Sequence, residues 1–379
     1  MRFLHTADWH IGRRLHGFDL SEEQKDAFQQ IETAAKKYQV DGIIIAGDIY
    51  DRKLPAEKSV QMLNHMLRQL NLKDHFPIYA ISGNHDSATR LSTGAPWYRD
   101  TNFYMHTSVA QSFQPVELPD VQLFLLPYFE PFEVQQYFQD SSLKNVSLAF
   151  DAIVSKMKTL FDPHKKHILV SHFFASGSSQ TDSETQLKVG GLAAVPVDLL
   201  SAFDYVALGH LHGKDAIHDP KIQYSGSPIK FSMSEAHQKK GFFIVDTDHI
   251  QDRTFVPLKP KRDVQQISAS FEKLTDPKFY QQLNCDNYFG FLLKNQKPIP
   301  NVMQRLRKIY PHIASLSRAA GYEINVDYDG ENGAKLKKAN PMEVLNQFYQ
   351  KVANEPLSDQ QKQWAEDALQ NAHDGRKKP

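Results

Sequence analysis

The chain has 379 residues, room for one large catalytic domain and one or two smaller ones. With 41% hydrophobic and 23% charged residues it has the composition of a soluble globular protein, not of a disordered or fibrous one. Lys plus Arg and Asp plus Glu are both 44, so the zero net charge does not mark a nucleic-acid binder, and any such contact must come from local patches or bound metal. The single cysteine, Cys285, excludes an internal disulfide framework and suits a reducing cytoplasm. The opening residues carry no long apolar run, and no stretch approaches the roughly 20 apolar residues of a membrane helix. The expectation is a soluble, cytoplasmic protein without a signal peptide.

In chain order, Arg2 to Thr6 reads as a first strand. Ser21 with Gln24 resembles a capping box, followed by helical spacing at Phe28, Ile31, Ala35 and Tyr38. Gly42 to Ala46 is a continuous apolar strand of the kind buried on both faces. Pro55 fits a first helical turn, continued by Val60, Leu63, Leu67 and Leu70. Further strands are expected at Ile78–Ile81, Gln122–Leu126, His167–Val170 and Tyr205–Leu208, with a helix from Phe150 to Leu160 before the third of these. Residues 175–184 are rich in Ser, Gly and Thr and read as a mobile loop. Phe242 to Val245 ends the strand pattern, and the basic, Pro-containing segment 256–262 reads as a boundary. This gives an α/β layered domain over 1–258 and a small α+β domain over 263–328. A polar linker follows over 329–340, and two amphipathic helices lie within 341–373. The first starts at Pro341 with Val344, Leu345, Phe348 and Val352 on one side; the second is capped by Ser358 and carries Trp364, Ala368 and Leu369.

The strong polar signals follow the apolar strands: Asp8-Trp9-His10, Gly47-Asp48-Ile49-Tyr50-Asp51, Gly83-Asn84-His85-Asp86, Ser171-His172 and Gly209-His210-Leu211-His212. In an open α/β sheet the loops leaving strand C-termini meet in one crevice. Asp8, His10, Asp48, Asn84, His172, His210 and His212 would then form a ligand set for two metal ions. Carboxylate, amide oxygen and imidazole together suit Mn, Fe or Zn, whereas Mg and Ca would take an oxygen-only shell. A dinuclear site needs a bridging ligand, and Asp48 is the best placed carboxylate. Such a pair can activate a shared water and neutralise phosphate oxygens during in-line attack. His85, at a tight glycine turn, can protonate the leaving oxygen as general acid. Asp86 is a candidate to orient it, with a structural turn role as the alternative. Asp51 and Arg52 have a turn-stabilising alternative, and Arg13 and Arg14 are candidate phosphate contacts whose default is a solvated loop. A lone histidine such as His65 is most simply surface decoration.

The motifs match the calcineurin-like metallophosphoesterase superfamily. The surrounding sequence resembles the bacterial SbcD family, nuclease subunits of a double-strand-break repair complex. The resemblance rests on His5-Thr-Ala-Asp-Trp-His10-Ile-Gly, Ala46-Gly-Asp-Ile-Tyr-Asp51, Ile81-Ser-Gly-Asn-His-Asp-Ser87, Tyr205-Val-Ala-Leu-Gly-His-Leu-His212 and Tyr224-Ser-Gly-Ser-Pro228. It is strong over about the first 245 residues and weaker beyond. It implies a layered β-sandwich flanked by helices, with a small capping domain and C-terminal helices. One metal would be held by Asp8, His10, Asp48 and His212, and the second by Asp48, Asn84, His172 and His210. His85 would be the acid for cleavage. The implied activity is a Mn(II)-dependent exonuclease on duplex DNA and endonuclease on single strands and hairpins, used in DNA end processing, recombination, replication and repair. The implied partner is SbcC, an ATPase with coiled-coil arms, in a complex with two copies of each chain. The domain after residue 262 would cap the DNA, and the terminal helices would dock on the coiled coil. Lys294, Lys297, Arg305, Arg307 and Lys308 form the best local basic cluster for DNA, against a solvated helix face. Two other functions compete with a nuclease. A phosphomonoesterase with the same metal core would need a narrow pocket with extra basic residues, and a non-catalytic metal-binding scaffold would have no use for His85.

Overall fold

The computed structural model describes residues 1–179, 194–295, 297–318, 342, 345–346, 349–350 and 356–374. The expected linker over 329–340, most of the helix expected from Pro341 and part of the 175–184 loop lie outside these residues.

Alternation within the strands explains the architecture. In β1 (Arg2–Thr6), Leu4 faces one way and Phe3 the other; in β2 (Gly42–Ala46), Ile43 and Ile45 face away from Ile44 and Ala46. Both faces are apolar, so both must be covered, as in a sheet packed between two layers. One face carries α1 (Ser21–Lys37), through Phe28, Ile31 and Ala35, and α2 (Glu57–Leu67), through Leu63 and Met66. The other face meets a second sheet.

The first sheet has six strands. β1, β2, β3 (Ile78–Ile81) and β4 (Phe103–His106) run parallel, and an antiparallel pair lies on the far side of β1. The second sheet has five strands. β5 (Val116–Glu117) forms one edge, antiparallel to β6 (Val121–Leu126); β7 (Lys166–His172), β8 (Tyr205–Gly209) and β9 (Ile222–Tyr224) follow in parallel. Phe3, Ile44, Tyr79 and Ile81 of the first sheet pack against Leu123, Leu125, Ile168, Val170 and Ala207 of the second. On its outer face the second sheet carries α3 (Pro131–Phe138) and α4 (Val146–Lys158), the latter through Phe150, Ile153 and Met157. The result is a helix–sheet–sheet–helix sandwich. Burying each of these large aliphatic or aromatic side chains contributes about 1.5–3 kcal/mol.

The expected strands are present within two residues of their sequence bounds. Four local expectations are corrected. Ser21 is the first residue of α1 and not its cap; Asp19 accepts the Ser21 N–H at 2.8 Å, and Gln24 is drawn inward to other partners. Pro55 precedes the Ala56 cap of α2, and Leu70 lies in a wider π-helical turn, Arg68–Lys73, after that helix ends. The helix expected from Phe150 begins at Val146, because the Asn145 side chain accepts the Leu148 N–H and caps it. Val256 and Pro257, taken as boundary, belong to β11 (Thr254–Pro257), which extends the first sheet beyond β10 (Gly241–Asp246).

After residue 262, β12 (Val264–Ala269), β13 (Tyr288–Leu293) and β14 (Ile313–Arg318) form a separate three-stranded sheet around Phe289, Phe291 and Tyr310. It abuts the sandwich where Tyr288 donates to Glu23 (3.1 Å) and Arg262 pairs with Glu23 (2.8 Å). Cys285 is half-buried near it. Residues 1–294 with 299–317 make one compact unit, and 295–298 with 318–379 make a second. In the second unit, α5 (Asp359–Asp374) follows Ser358, whose hydroxyl receives the Gln361 N–H at 3.3 Å while Gln361 accepts the Ser358 N–H at 2.9 Å. Trp364 on that helix is exposed. Among the described residues no helix is long and apolar enough to cross a membrane.

Candidate metal centre

The ends of β1, β2 and β3 in one sheet meet the ends of β7 and β8 in the other. The layered β-sandwich flanked by helices that the resemblance implies is the fold observed, and these loops converge across the top of its two sheets. The loops after β1 and β2 continue the ladder beyond the strands, with Asp8 N donating to Gly47 O (3.0 Å), His10 N to Asp48 O (2.9 Å) and Ile11 N to Ile49 O (2.9 Å). In the second sheet His172 pairs in register with Gly209, which sets its ring beside that of His210, centroids 5.1 Å apart.

Asp8, His10, Asp48, His172 and His212 are all buried. Ligand atoms of Asp8, His10 and His212 lie within 4.8 Å of one another, as do those of Asp8, Asp48 and His172. Asp48 lies between the two groups: its Oδ2 is 3.5 Å from His10 Nε2 and 3.3 Å from His172 Nε2. Asn84 Oδ1 is 3.0 Å from both His172 Nε2 and His210 Nδ1. His10 Nε2 faces His212 Nε2 at 3.2 Å. The seven side chains singled out in the sequence therefore form one cluster.

The cluster fits a pair of divalent cations. Asp8 Oδ2 is buried without a hydrogen-bond partner, a costly state that a cation would relieve. His172 Nδ1 lies 2.8 Å from the Ala46 carbonyl oxygen, which can only accept, so Nδ1 carries a proton, and deprotonation of Nε2 frees its lone pair to bind a cation. Burial pushes the Asp8 carboxyl up to about 7 against the pull of His172 and His212. At His172 burial pulls downward, but the Asp48 charge and hydrogen bond prevail and raise it to about 9. His210 falls to about 3, chiefly through burial and then the nearby His172. This mixed oxygen and nitrogen set suits Mn, Fe or Zn.

His85 is half-buried, and its ring stands edge-on to His10 with centroids 4.8 Å apart. Its Nδ1 is 2.9 Å from the Asp51 carbonyl oxygen, so Nδ1 donates there and Nε2 is the nitrogen available for proton transfer. Asp86, a candidate to orient that ring, has another task. Its carboxylate accepts from Ile49 N (3.0 Å), Tyr50 N (2.8 Å) and Gly83 N (2.9 Å), tying the β2 and β3 loops together. Asp51 pairs with Arg13 at 3.1 Å and Arg52 at 3.4 Å, so Arg13 braces the loop that holds His85. Arg14 donates to Gly17 O (3.2 Å) in its own turn. Lys294, Lys297, Arg307 and Lys308 are exposed, and the Arg305 guanidinium lies over the Phe271 ring, 4.3 Å from its centroid.

Two residues of the site carry no sign of that role in the sequence. Gln24 donates to the carbonyls of Trp9 (3.1 Å) and His10 (2.8 Å) and accepts the Gly12 N–H at 3.2 Å, fixing the β1 loop from α1. Glu235 lies 3.3 Å from His212 Nδ1. Gln24 reads in the sequence as half of a capping box and Glu235 belongs to no motif, and each is distant in sequence from what it touches, so spacing could not reveal their place in the site.

The family described as Calcineurin-like phosphoesterase matches residues 1–214, and the Type 5 capsule protein repressor C-terminal domain matches residues 260–353. A curated relative, the SbcD component of nuclease SbcCD from Staphylococcus epidermidis, is 36% identical over 363 residues, covering 94% of this chain and 95% of that one. Among solved structures, TT1561 of Thermus thermophilus aligns over 68% of this chain and 99% of its own (12% identity, TM-score 0.43). A dimetal phosphatase from Danio rerio aligns over 64% and 91% (11% identity, TM-score 0.38). The chain is a metal-dependent phosphodiesterase and belongs to the SbcD family of calcineurin-like phosphoesterases.

Proposed function

We propose that the chain is a Mn(II)-dependent DNA nuclease, an exonuclease on duplex ends and an endonuclease on single strands and hairpins. It acts with an SbcC-type coiled-coil ATPase in DNA end processing, recombination and repair. The observation that carries this reading is the convergence of seven nitrogen and oxygen ligands from both sheets around the orphaned Asp8 Oδ2, with His85 at their edge. The 36% identity to a nuclease component over nearly the whole chain supports DNA as the substrate.

Asp8, His10, Asp48 and His212 would hold one metal, and Asp48, Asn84, His172 and His210 the other. A bound pair supplies a water that is nucleophilic near neutral pH and neutralises charge on the scissile phosphate. The chain's own groups do the rest. Asp48, between the two ligand groups, fixes their separation. His85, with Nδ1 committed to the Asp51 carbonyl, presents Nε2 to protonate the leaving oxygen. We assign residues 1–258 to the nuclease domain, residues 263–328 to a capping module beside the DNA, 329–340 to a linker and 341–373 to helices that dock on the ATPase. The exposed Trp364 on the last helix supports a partner surface there. A homodimer within a two-plus-two complex and a cytoplasmic location complete the proposal.

The test is cleavage of an end-labelled duplex in Mn(II), with and without EDTA, beside a nucleotide monophosphatase assay. DNA shortening should require metal and fall about 10²–10⁴-fold in a His85→Ala variant that still binds Mn(II). Monoester hydrolysis with intact DNA would reject the nuclease reading, and unchanged cleavage by the variant would reject the role of His85.

A further inference from the structure

We propose that Glu235, locked by Lys240, is the positioning residue for His212, and that it makes the metal site on the His10–His212 side the tighter of the two. The inference rests on the two-metal reading above.

Glu235 ends a short turn, Met233–Glu235, and is fully buried. Its Oε1 is 3.3 Å from His212 Nδ1 and receives the Ser232 hydroxyl at 3.3 Å; its Oε2 receives the Phe231 N–H at 3.3 Å and pairs with Lys240 Nζ at 2.5 Å. Lys240 is buried too, and the same Nζ donates to the His212 main-chain oxygen (2.9 Å) and to Gln238 Oε1 (2.8 Å). The three residues close a ring of contacts: Glu235 holds the His212 imidazole, and Lys240 holds both Glu235 and the His212 backbone.

Burying an ion pair of this kind gains little stability over an apolar pair of the same volume. What the pair does here is orient. A carboxylate at Nδ1 keeps the proton on that nitrogen, turns the Nε2 lone pair toward Asp8 and His10, and strengthens imidazole as a ligand. On the opposite side the backing seen at His172 is neutral: its Nδ1 donates to the Ala46 carbonyl. His210 turns Nδ1 toward the ligand oxygen of Asn84, so that nitrogen lies on the metal side of its ring. On the His212 side, His10 Nδ1 also looks toward a carboxylate, Asp51 Oδ1 at 3.9 Å. His10 and His212 thus have carboxylates behind their imidazoles where His172 has a neutral carbonyl, and the first equivalent of metal should go to the His10–His212 side.

The experiment is a Mn(II) titration of the full chain, reading free Mn(II) by its paramagnetic resonance signal, on wild type, Glu235→Gln and Glu235→Asp. Metal-free thermal melts run alongside. Wild type should show a tight and a weak class. Glu235→Gln, which keeps the bulk and removes the charge, should weaken the tight class about 10–100-fold and leave the weak class in place. Its hydrolytic activity should fall at low Mn(II) and return at high Mn(II), a rescue that a folding defect would not show. An unmoved tight class in the folded variant, or equal weakening of both classes, overturns the proposal. If Glu235→Gln does not fold without metal, Glu235→Asp must show a smaller weakening confined to the tight class. Failure of both to fold makes Glu235 structural and also overturns it. Two equal classes in wild type reject the tighter side alone, whereas fewer than two equivalents reject the two-metal reading itself.

Discussion

At the scale of single residues, the centre is built on backbone that side chains rarely adopt. Asp8 (φ 54°), His10 (φ 42°), Asp48 (φ 49°) and His210 (φ 93°) all lie at positive φ. Such conformations cost about 1–3 kcal/mol each and persist where the surroundings over-determine them. The surroundings here are the interlocked β1 and β2 loops and the Asp86 carboxylate. They leave no spare volume. A Cβ at Gly83 would overlap both Oδ1 and the main-chain N of Asp48. Gly83→Ala therefore has to displace the carboxylate that separates the two ligand groups. We expect it to cost about 1–3 kcal/mol in a urea melt and to abolish high-affinity Mn(II) uptake. Wild-type uptake in this variant would show that Asp48 has freedom the packing denies it.

At the scale of elements, the β2 and β3 loops act as one piece because Asp86 gathers three N–H groups from both. Burial, with the Asp48 charge adding, outweighs the pull of those three N–H groups and leaves the Asp86 carboxyl raised to about 7. Asp86→Ala strands the three donors, each costing about 1–3 kcal/mol when buried and unmet. A loss of about 3 kcal/mol or more is expected from chemical denaturation, with weaker Mn(II) binding in the same variant. A stability loss below about 1 kcal/mol would contradict this account. The strands themselves were legible, since runs such as Gly42-Ile-Ile-Ile-Ala46 ending at Gly47-Asp48 combine an apolar stretch with a polar terminus. The ligand types were legible for the same reason. The pairing of two sheets was legible only through the family resemblance, because a strand apolar on both faces reads alike whether helices or a second sheet cover it. The start of α4 was missed because its cap is a lone Asn145 side chain, and the start of α1 because Gln24 serves the β1 loop instead of a cap. Glu235 and Gln24 belong to the site only through the fold.

At the scale of the whole molecule, the two sheets are joined by buried histidines that take no part in the centre. His5 of β1 lies 2.9 Å from the Tyr205 hydroxyl of β8, and His106 of β4 donates from Nδ1 to the Leu125 carbonyl of β6 at 3.2 Å. Burial lowers His5 to about 3 and His106 to about 4. The sign follows from which state takes the proton first. The unfolded chain protonates these rings near pH 6.5, while the folded sandwich resists until about pH 4 and 3. Their contribution is therefore complete above pH 6.5 and is lost as the pH falls toward those values, by up to about 1.4 kcal/mol per pH unit for each ring. The ligand histidines titrate as well, so the comparison has to be made against variants that alter only the bridging pair. In the metal-free protein, the plot of unfolding free energy against pH between 6.5 and 4.5 should be shallower for His5→Gln than for wild type, and shallower still with His106→Gln added. The double variant should lose up to about 2.7 kcal/mol per pH unit of slope. Equal slopes would mean that the rings take up protons in the folded state as readily as in the unfolded chain, and acid would then have to open the sandwich at the ligand cluster instead of between its sheets.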